Sequence, residues 1–241
     1  MVNIVANDMH FKDLNEQIRT AKSDTVTVES CIGQRYIGDG LSGKTITING
    51  TPGNALGAYL NGAQIYVNGN AQDATGDTMN AGRIVINGSS GDATGYAMRG
   101  GKIFVKGDVG YRAGIHMKAY EDKLPVLVVG GKAGSFLGEY QAGGVIVVLG
   151  LGCEAPVPVG YFCGTGMHGG VMYLRCNEAP RDLPAQVVAS PATQQDMAAI
   201  QGYIETYCAE FGVDIAAILP HQFYVLRPDT KNPYKQLYTH N

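Results

Sequence analysis

Charge is scarce in this sequence. Asp, Glu, Lys and Arg make up 16% of its 241 residues, where roughly 25% is usual, and the balance is only −3 with a pI near 5.9. No basic face is therefore offered to nucleic acid or to an anionic membrane, and no long run of like charge appears. The five cysteines, Cys31, Cys153, Cys163, Cys176 and Cys208, form no C-x-x-C pair. Their odd number and wide spacing argue against a zinc site, an iron–sulfur cluster or a disulfide framework, which leaves reduced, mostly buried thiols. Long hydrophobic runs are missing too. Val126 to Val129 and Val145 to Leu149 are strand-sized, against the roughly 18 apolar residues that a membrane span needs. The opening MVNIVANDMHFKDLNEQIR has no basic start leading into an apolar stretch. It carries no visible secretory signal, so a cytoplasmic protein is expected.

Glycine is what the sequence has in excess: 34 of 241 residues, about 14% against an average near 7%. Thirty-two of the 34 lie between Gly33 and Gly170. Only ten prolines accompany them, without a glycine at every third position, so collagen is excluded. With 45% of residues hydrophobic, a buried core is available and intrinsic disorder is excluded.

A repeating unit orders the glycines. It reads Gly43-KTITIN-Gly50, Gly62-AQIYVN-Gly69, Gly82-RIVIN-Gly88, Gly101-KIFVK-Gly107, LPVLVV-Gly130, Gly144-VIVVL-Gly150 and Gly170-VMYLRC. Equivalent positions are Ile46, Ile65, Ile84, Ile103, Val126, Ile146 and Met172, with steps of 19, 19, 19, 23, 20 and 26 residues. A leucine-rich repeat would need leucines and an Asn at fixed positions. A βαβ sheet would need crossover helices that segments such as NAQDATGDTMNA are too short and glycine-rich to form. The expectation is an all-β fold: a single-stranded parallel β-helix, a solenoid of about seven rungs with a strand on each face. Asn49, Asn68 and Asn87 recur at 19 residues, as do Asn54, Asp73 and Asp92. Such stacks serve turn backbone. Two carboxylates fall short of the oxygen set, roughly six to eight, that calcium takes.

The flanks have helical spacing. Phe11, Leu14, Ile18 and Ala21 share one face of an N-terminal helix. Thr193 with Asp196 starts a second helix, lined by Met197, Ile200, Ile204, Tyr207 and Phe211 and ended by Gly212. Both are expected to cap the ends of the solenoid, with the tail FYVLRPDTKNPYKQLYTHN extended. Three parts are expected: 1–32, N-terminal helix and lead-in strand; 33–176, the repeats; 177–241, C-terminal helix and tail.

Motif matches for chemistry fail on context. Gly38 to Thr45 fits the Walker A pattern, and 38–43 and 164–169 fit G-x-G-x-x-G, but each leads into a strand where phosphate binding needs a helix N-terminus. Ser135 in AGSFLG lies outside any G-x-S-x-G elbow. His116 and His168, beside Met117 and Met167 and taken as equivalent positions, read as packed turn residues. Cys153 and Cys163 have no base nearby to activate a thiol. No catalytic, cofactor-binding or metal-binding residue is assigned. The 23- and 26-residue units bulge at 118–123 and 153–159, where insertions on one side of a repeat stack form a binding face.

Three segments carry a family resemblance: GQRYIGDGL (33–41), GDATGYAMRGGKIFVKGDVGYRAGIHMK (91–118) and GTGMHGGVMYLR (164–175). With FKDLNEQIR and NPYKQLY they resemble the GXGXG domain of the glutamate synthase large subunit, in its free-standing archaeal-type form. The resemblance implies a right-handed β-helix and a non-catalytic subunit of a split glutamate synthase in glutamate biosynthesis. Its expected partners are a glutamine amidotransferase subunit and an FMN-binding synthase subunit, with FMN and iron–sulfur clusters on those partners and none on this chain. Self-association stays open. The G-x-x-M-x-G-G run from Gly95 to Gly101 also resembles the corresponding subunit of formylmethanofuran dehydrogenase, and an N-methylglutamate synthase complex is a further alternative. Some free-standing relatives resemble proteins labelled esterases, a reading that the absent nucleophile elbow disfavours.

Overall fold

Among residues 1–229, which the computed structural model describes, strand and turn alternate along most of the chain. The elements are β1 (Val2–Val5), α1 (Phe11–Thr20), β2 (Thr25–Ile32), β3 (Thr45–Thr51), β4 (Asn61–Asn68), β5 (Ala81–Ile86), β6 (Lys102–Val105), β7 (Val126–Val129), β8 (Ala142–Val148), β9 (Gly169–Arg175), β10 (Val187–Pro191), α2 (Gln194–Phe211) and β11 (Phe223–Pro228). All eleven strands lie in one sheet, ordered β1 through β9 and then β11 and β10. Neighbours from β1 to β9 pair in parallel, whereas β11 pairs antiparallel with both β9 and β10. No described helix is long and apolar enough to cross a membrane.

The all-β, single-stranded right-handed β-helix of about seven rungs is corrected by this topology. One mostly parallel open sheet with two helices takes its place, and the segments that return the chain between strands are not strands. The reason is their backbone. Each return holds left-handed residues at alternate positions, as at Ala55, Gly57 and Tyr59, or Arg112, Gly114 and His116, and extended pairing cannot pass through such residues. Successive peptide groups consequently face opposite ways. Ala55 N–H donates onward to Asp73 O (2.9 Å), and Gly57 N–H donates back to Ile37 O (2.8 Å). The returns thus stack by backbone hydrogen bonds with only isolated bridges, from Ala71 to Ser90, Val109, Ala133 and Val159.

Register follows the glycine frame with one shift. Ile46, Ile65, Ile84 and Ile103 pair in line, but the next residue in the row is Leu127, followed by Ile146 and Met172. Val126 pairs with Lys102 instead. The insertion ahead of β7 is therefore one residue longer than the spacing of closing glycines suggests. A one-residue slip reverses which face each side chain takes. It is Leu127 that lies between the sheet and the returns, and Val126 faces the other way.

Two apolar layers flank the sheet. The inner layer, between sheet and returns, stacks Ile46, Ile65, Ile84, Ile103 and Ile146 against Leu56, Met79, Met98, Leu137 and Met167. Leu14 and Ile18 of α1 close its first end. Asn15 Nδ2 donates to Arg35 O at 2.9 Å, occupying a carbonyl of the first return. The outer layer sets Ile200, Ile204, Tyr207 and Phe211 of α2 over Val85, Phe104, Val128, Val147 and Tyr173. The expectation that α2 caps an end of the repeat stack is corrected accordingly: it lies across the outer face of the sheet. This placement explains a change in the strand sequences. TITIN and QIYVN alternate because their outer faces are wet, whereas IFV, VLVV and VIVV are continuous runs because α2 covers them. Of the expected extended tail, Phe223–Pro228 forms β11, and residues 230–241 lie outside the described residues.

The start of α2 has a pH signature. Thr193 and Asp196 form a reciprocal capping box, and Arg227 Nη2 on β11 reaches Asp196 Oδ1 at 2.6 Å. The Thr193 backbone N–H, with help from its hydroxyl and from Arg227, holds the Asp196 carboxyl down to about 2. A folded-state value below the unfolded one, about 3.9, stabilises the fold in full above that unfolded value, and the gain is lost as pH falls towards 2. Urea midpoints measured from pH 5 to pH 2 are expected to drop, and Asp196→Asn is expected to flatten part of that drop while lowering the plateau.

Candidate functional site

The residues singled out in the sequence are occupied by architecture. Lys44, the Walker-type lysine, donates from Nζ to Ala21 O (3.0 Å) and Ser23 O (3.2 Å), holding the carbonyls that follow α1. Thr45 opens β3, and Gly169 opens β9, so neither glycine motif meets a helix. The Asn54, Asp73 and Asp92 stack serves the turns: Asp73 N–H donates to Asn54 Oδ1 (3.3 Å), Asp92 N–H to Asp73 Oδ1 (2.9 Å) and Tyr111 N–H to Asp92 Oδ1 (2.8 Å). Among the described residues no group of His, Cys, Asp and Glu is arranged to hold a metal.

Ser135 occupies the same column two returns on from Asp92. Its Oγ accepts from the Tyr161 N–H at 3.1 Å, so the hydroxyl does for this turn what the carboxylates do for the others. His116 stacks on Tyr140 at 5.2 Å between centroids and meets the edge of Tyr96 at 6.0 Å. His168 Nδ1 lies 3.1 Å from Gly166 O. The two histidines are not equivalent, a correction to the sequence alignment: His116 precedes Met117, and His168 follows Met167. All five cysteines are free thiols. Cys163 is buried, and desolvation pushes it up to about 12, which opposes thiolate chemistry. The 153–159 bulge walls a cleft of about 460 Å³ opposite Pro180, Arg181 and Asp182.

What the sequence reading missed is the outer face of the returns. The column that holds small residues at Ala55, Ala74 and Ala93 changes to Arg112, Phe136 and Phe162 in the later repeats, and the column before it brings Tyr111 and Tyr161 alongside. A third column adds His116 and Tyr140. Phe136 contacts Tyr111 (5.3 Å) and Phe162 (4.9 Å) between ring centroids. Arg112 lies over both Tyr111 and Phe136, at 4.7 and 5.4 Å, while its Nε bonds Glu139 Oε2 at 2.7 Å. The row ends in solvent, with Tyr161 71% and Phe162 52% exposed. Aligning the repeats on the central glycine of each return, rather than on the strands, would have revealed it. Chemically, this face offers rigid aromatic area and a guanidinium held flat by stacking and an ion pair, the side chains that dominate protein–protein contacts.

Comparisons with known proteins bear on the family and on the fold. An uncharacterized protein of Methanocaldococcus jannaschii is 44% identical over 251 aligned positions, which cover 99% of this chain and 96% of that protein. Among solved structures, a chain of the formyltransferase/hydrolase complex from Methylorubrum extorquens, determined with methylofuran, matches with a TM-score of 0.62. The match covers 88% of this chain and 87% of that one at 20% identity, a likeness of fold. The GXGXG motif model matches residues 4–230, from within β1 to just past β11. The glycine-framed repeats and the returns they build thus identify the chain as a member of the GXGXG motif family.

Proposed function

We propose that this protein is a non-catalytic subunit of a multi-subunit complex of the glutamate synthase type, acting in glutamate biosynthesis and ammonia assimilation. It braces a glutamine amidotransferase chain against an FMN- and iron–sulfur-bearing synthase chain in the cytoplasm. The observation that carries this reading is the exposed aromatic row with Arg112 at its centre. Contiguous exposed aromatics mark interaction surfaces. Membership of the GXGXG family supports the reading, as does a fold shared with a chain of a complex. In this reading residues 33–176 carry the docking face, 1–32 and 177–241 complete the subunit, and the redox cofactors belong to the partners.

A second reading is a subunit of a formylmethanofuran dehydrogenase-like complex, supported by the fold shared with a chain of a formyltransferase/hydrolase complex determined with methylofuran. Both use the same face, so one experiment tests it. Tyr161→Ala with Phe162→Ala is expected to weaken capture of co-purifying chains by roughly tenfold or more, the scale of a central interface residue. The thermal midpoint should stay nearly unchanged, since both side chains are exposed. Undiminished capture would remove the row from the interface.

A further inference from the structure

The end of β9 holds a second feature, independent of the aromatic row. A pocket of about 270 Å³ lies there, with Arg175, Cys176 and Asn177 on one side, Cys153 and Glu154 of the long repeat on another, and His221 and Gln222 ahead of β11 on a third. The Cys176 N–H donates to Gln222 O at 3.1 Å, which fixes two of these walls together. Pro156 and Pro158 border the pocket in the same wall as Cys153 and Glu154 and stiffen it, because their φ angles are set by the ring.

Arg175 is unusual within it. Its Nε is buried with no hydrogen-bond partner, and none of the ion pairs among the described residues involves it. The other guanidiniums that reach into the fold, Arg83, Arg112 and Arg227, each meet a carboxylate. A buried charged donor left unpaired is unfavourable, and an acceptor supplied from outside would relieve it. A guanidinium presents its donors as a flat fork that matches the paired oxygens of a carboxylate or phosphate. Asn177 and His221 place further polar groups on the lining. Glu154 is the one carboxylate there and is exposed, so water screens its charge at the rim. Burial lowers the Arg175 proton affinity, but from so high an ordinary value that the group stays cationic at neutral pH.

We propose that this pocket is a binding site for a small oxyanion, a carboxylate or a phosphate, held by Arg175. Calorimetric titration of the full-length chain with inorganic phosphate, and separately with acetate, at constant ionic strength in chloride tests it. Saturable one-site binding of at least one anion is expected, with the better ligand identifying the class. Arg175→Gln is expected to weaken binding by about tenfold or more, on the scale of a charge-assisted hydrogen bond, and Arg175→Lys to keep part of it. If Arg175→Gln does not fold, anion-dependent shifts of the His221 ring resonances in the unaltered protein report occupancy of the same pocket. Absence of saturable binding, or an equal response from Arg175→Gln, would overturn the proposal. So would a variant that loses capture of partner chains while no small anion binds the parent, since Arg175 would then serve a partner's carboxylate.

Discussion

Ile84→Asp is expected to leave the chain largely unfolded at room temperature. Ile84 is fully buried in the middle of the inner row, paired with Ile65 on one side and Ile103 on the other. Removing its side chain forfeits about 1.5–3 kcal/mol of burial. Placing a carboxyl there adds several kcal/mol more, whether it is desolvated as an anion or kept protonated without a partner. The sum approaches the roughly 5–15 kcal/mol that a domain has in total. Far-ultraviolet circular dichroism against urea reads the outcome. Ile84→Val, which deletes one methylene, should cost only about 1 kcal/mol. A thermal midpoint for Ile84→Asp equal to that of the parent would contradict the register and the inner core together.

Gly82→Ala is expected to be strongly destabilising for a single-methyl addition. Gly82 has a φ of +102°, and a Cβ there would press into the backbone of β4 at the Ala63 carbonyl oxygen. The backbone strain alone is worth roughly 1–3 kcal/mol, and relieving the clash requires β5 to move off β4. Gly40→Ala is the matched control: its φ is +64°, yet a Cβ there meets nothing within 4 Å. Its cost should be limited to about 1–2 kcal/mol for a left-handed alanine. Equal losses in the two variants, by thermal or urea unfolding, would mean that close approach of neighbouring strands does not set the glycine requirement.

These two sites show what was readable before the structure. Ile84 and its equivalents were legible because strands alternate with a period of two and the glycines frame them at nearly constant spacing. Val126 was misplaced because the count ran back from Gly130, whereas the glycine that stacks on Gly107 and Gly150 is Gly131, four residues after Leu127. The returns were illegible in a different way. Ala55, Ala74, Ala93 and Arg112 all take left-handed φ values of 54–61°, a conformation that side chains other than glycine seldom announce. Hydrogen bonds to the repeats on either side impose it. That is why a strand was expected on each face, and why the sheet stands alone. The position of α2 could have been inferred from the continuous apolar runs of β6 to β8, which need cover on both faces.

The candidate sites divide in the same way. Lys44, Ser135 and the Asp73–Asp92 stack carry no catalytic motif in the sequence, and the structure shows the backbone groups that each of them holds. The aromatic row and Arg175 depend on which columns face outward and on a partner that is missing. The row becomes visible in the sequence only when the repeats are aligned on the central glycine of each return, and the unpaired Arg175 has no sequence signature.

The proposed bracing role is tested most directly by isolating the native protein from its own cells under non-denaturing conditions and identifying the chains that accompany it by mass spectrometry. A glutamine amidotransferase chain and a flavin-binding synthase chain in fixed ratio to this one are the expected result. Recovery of the chain with neither of them would contradict the account.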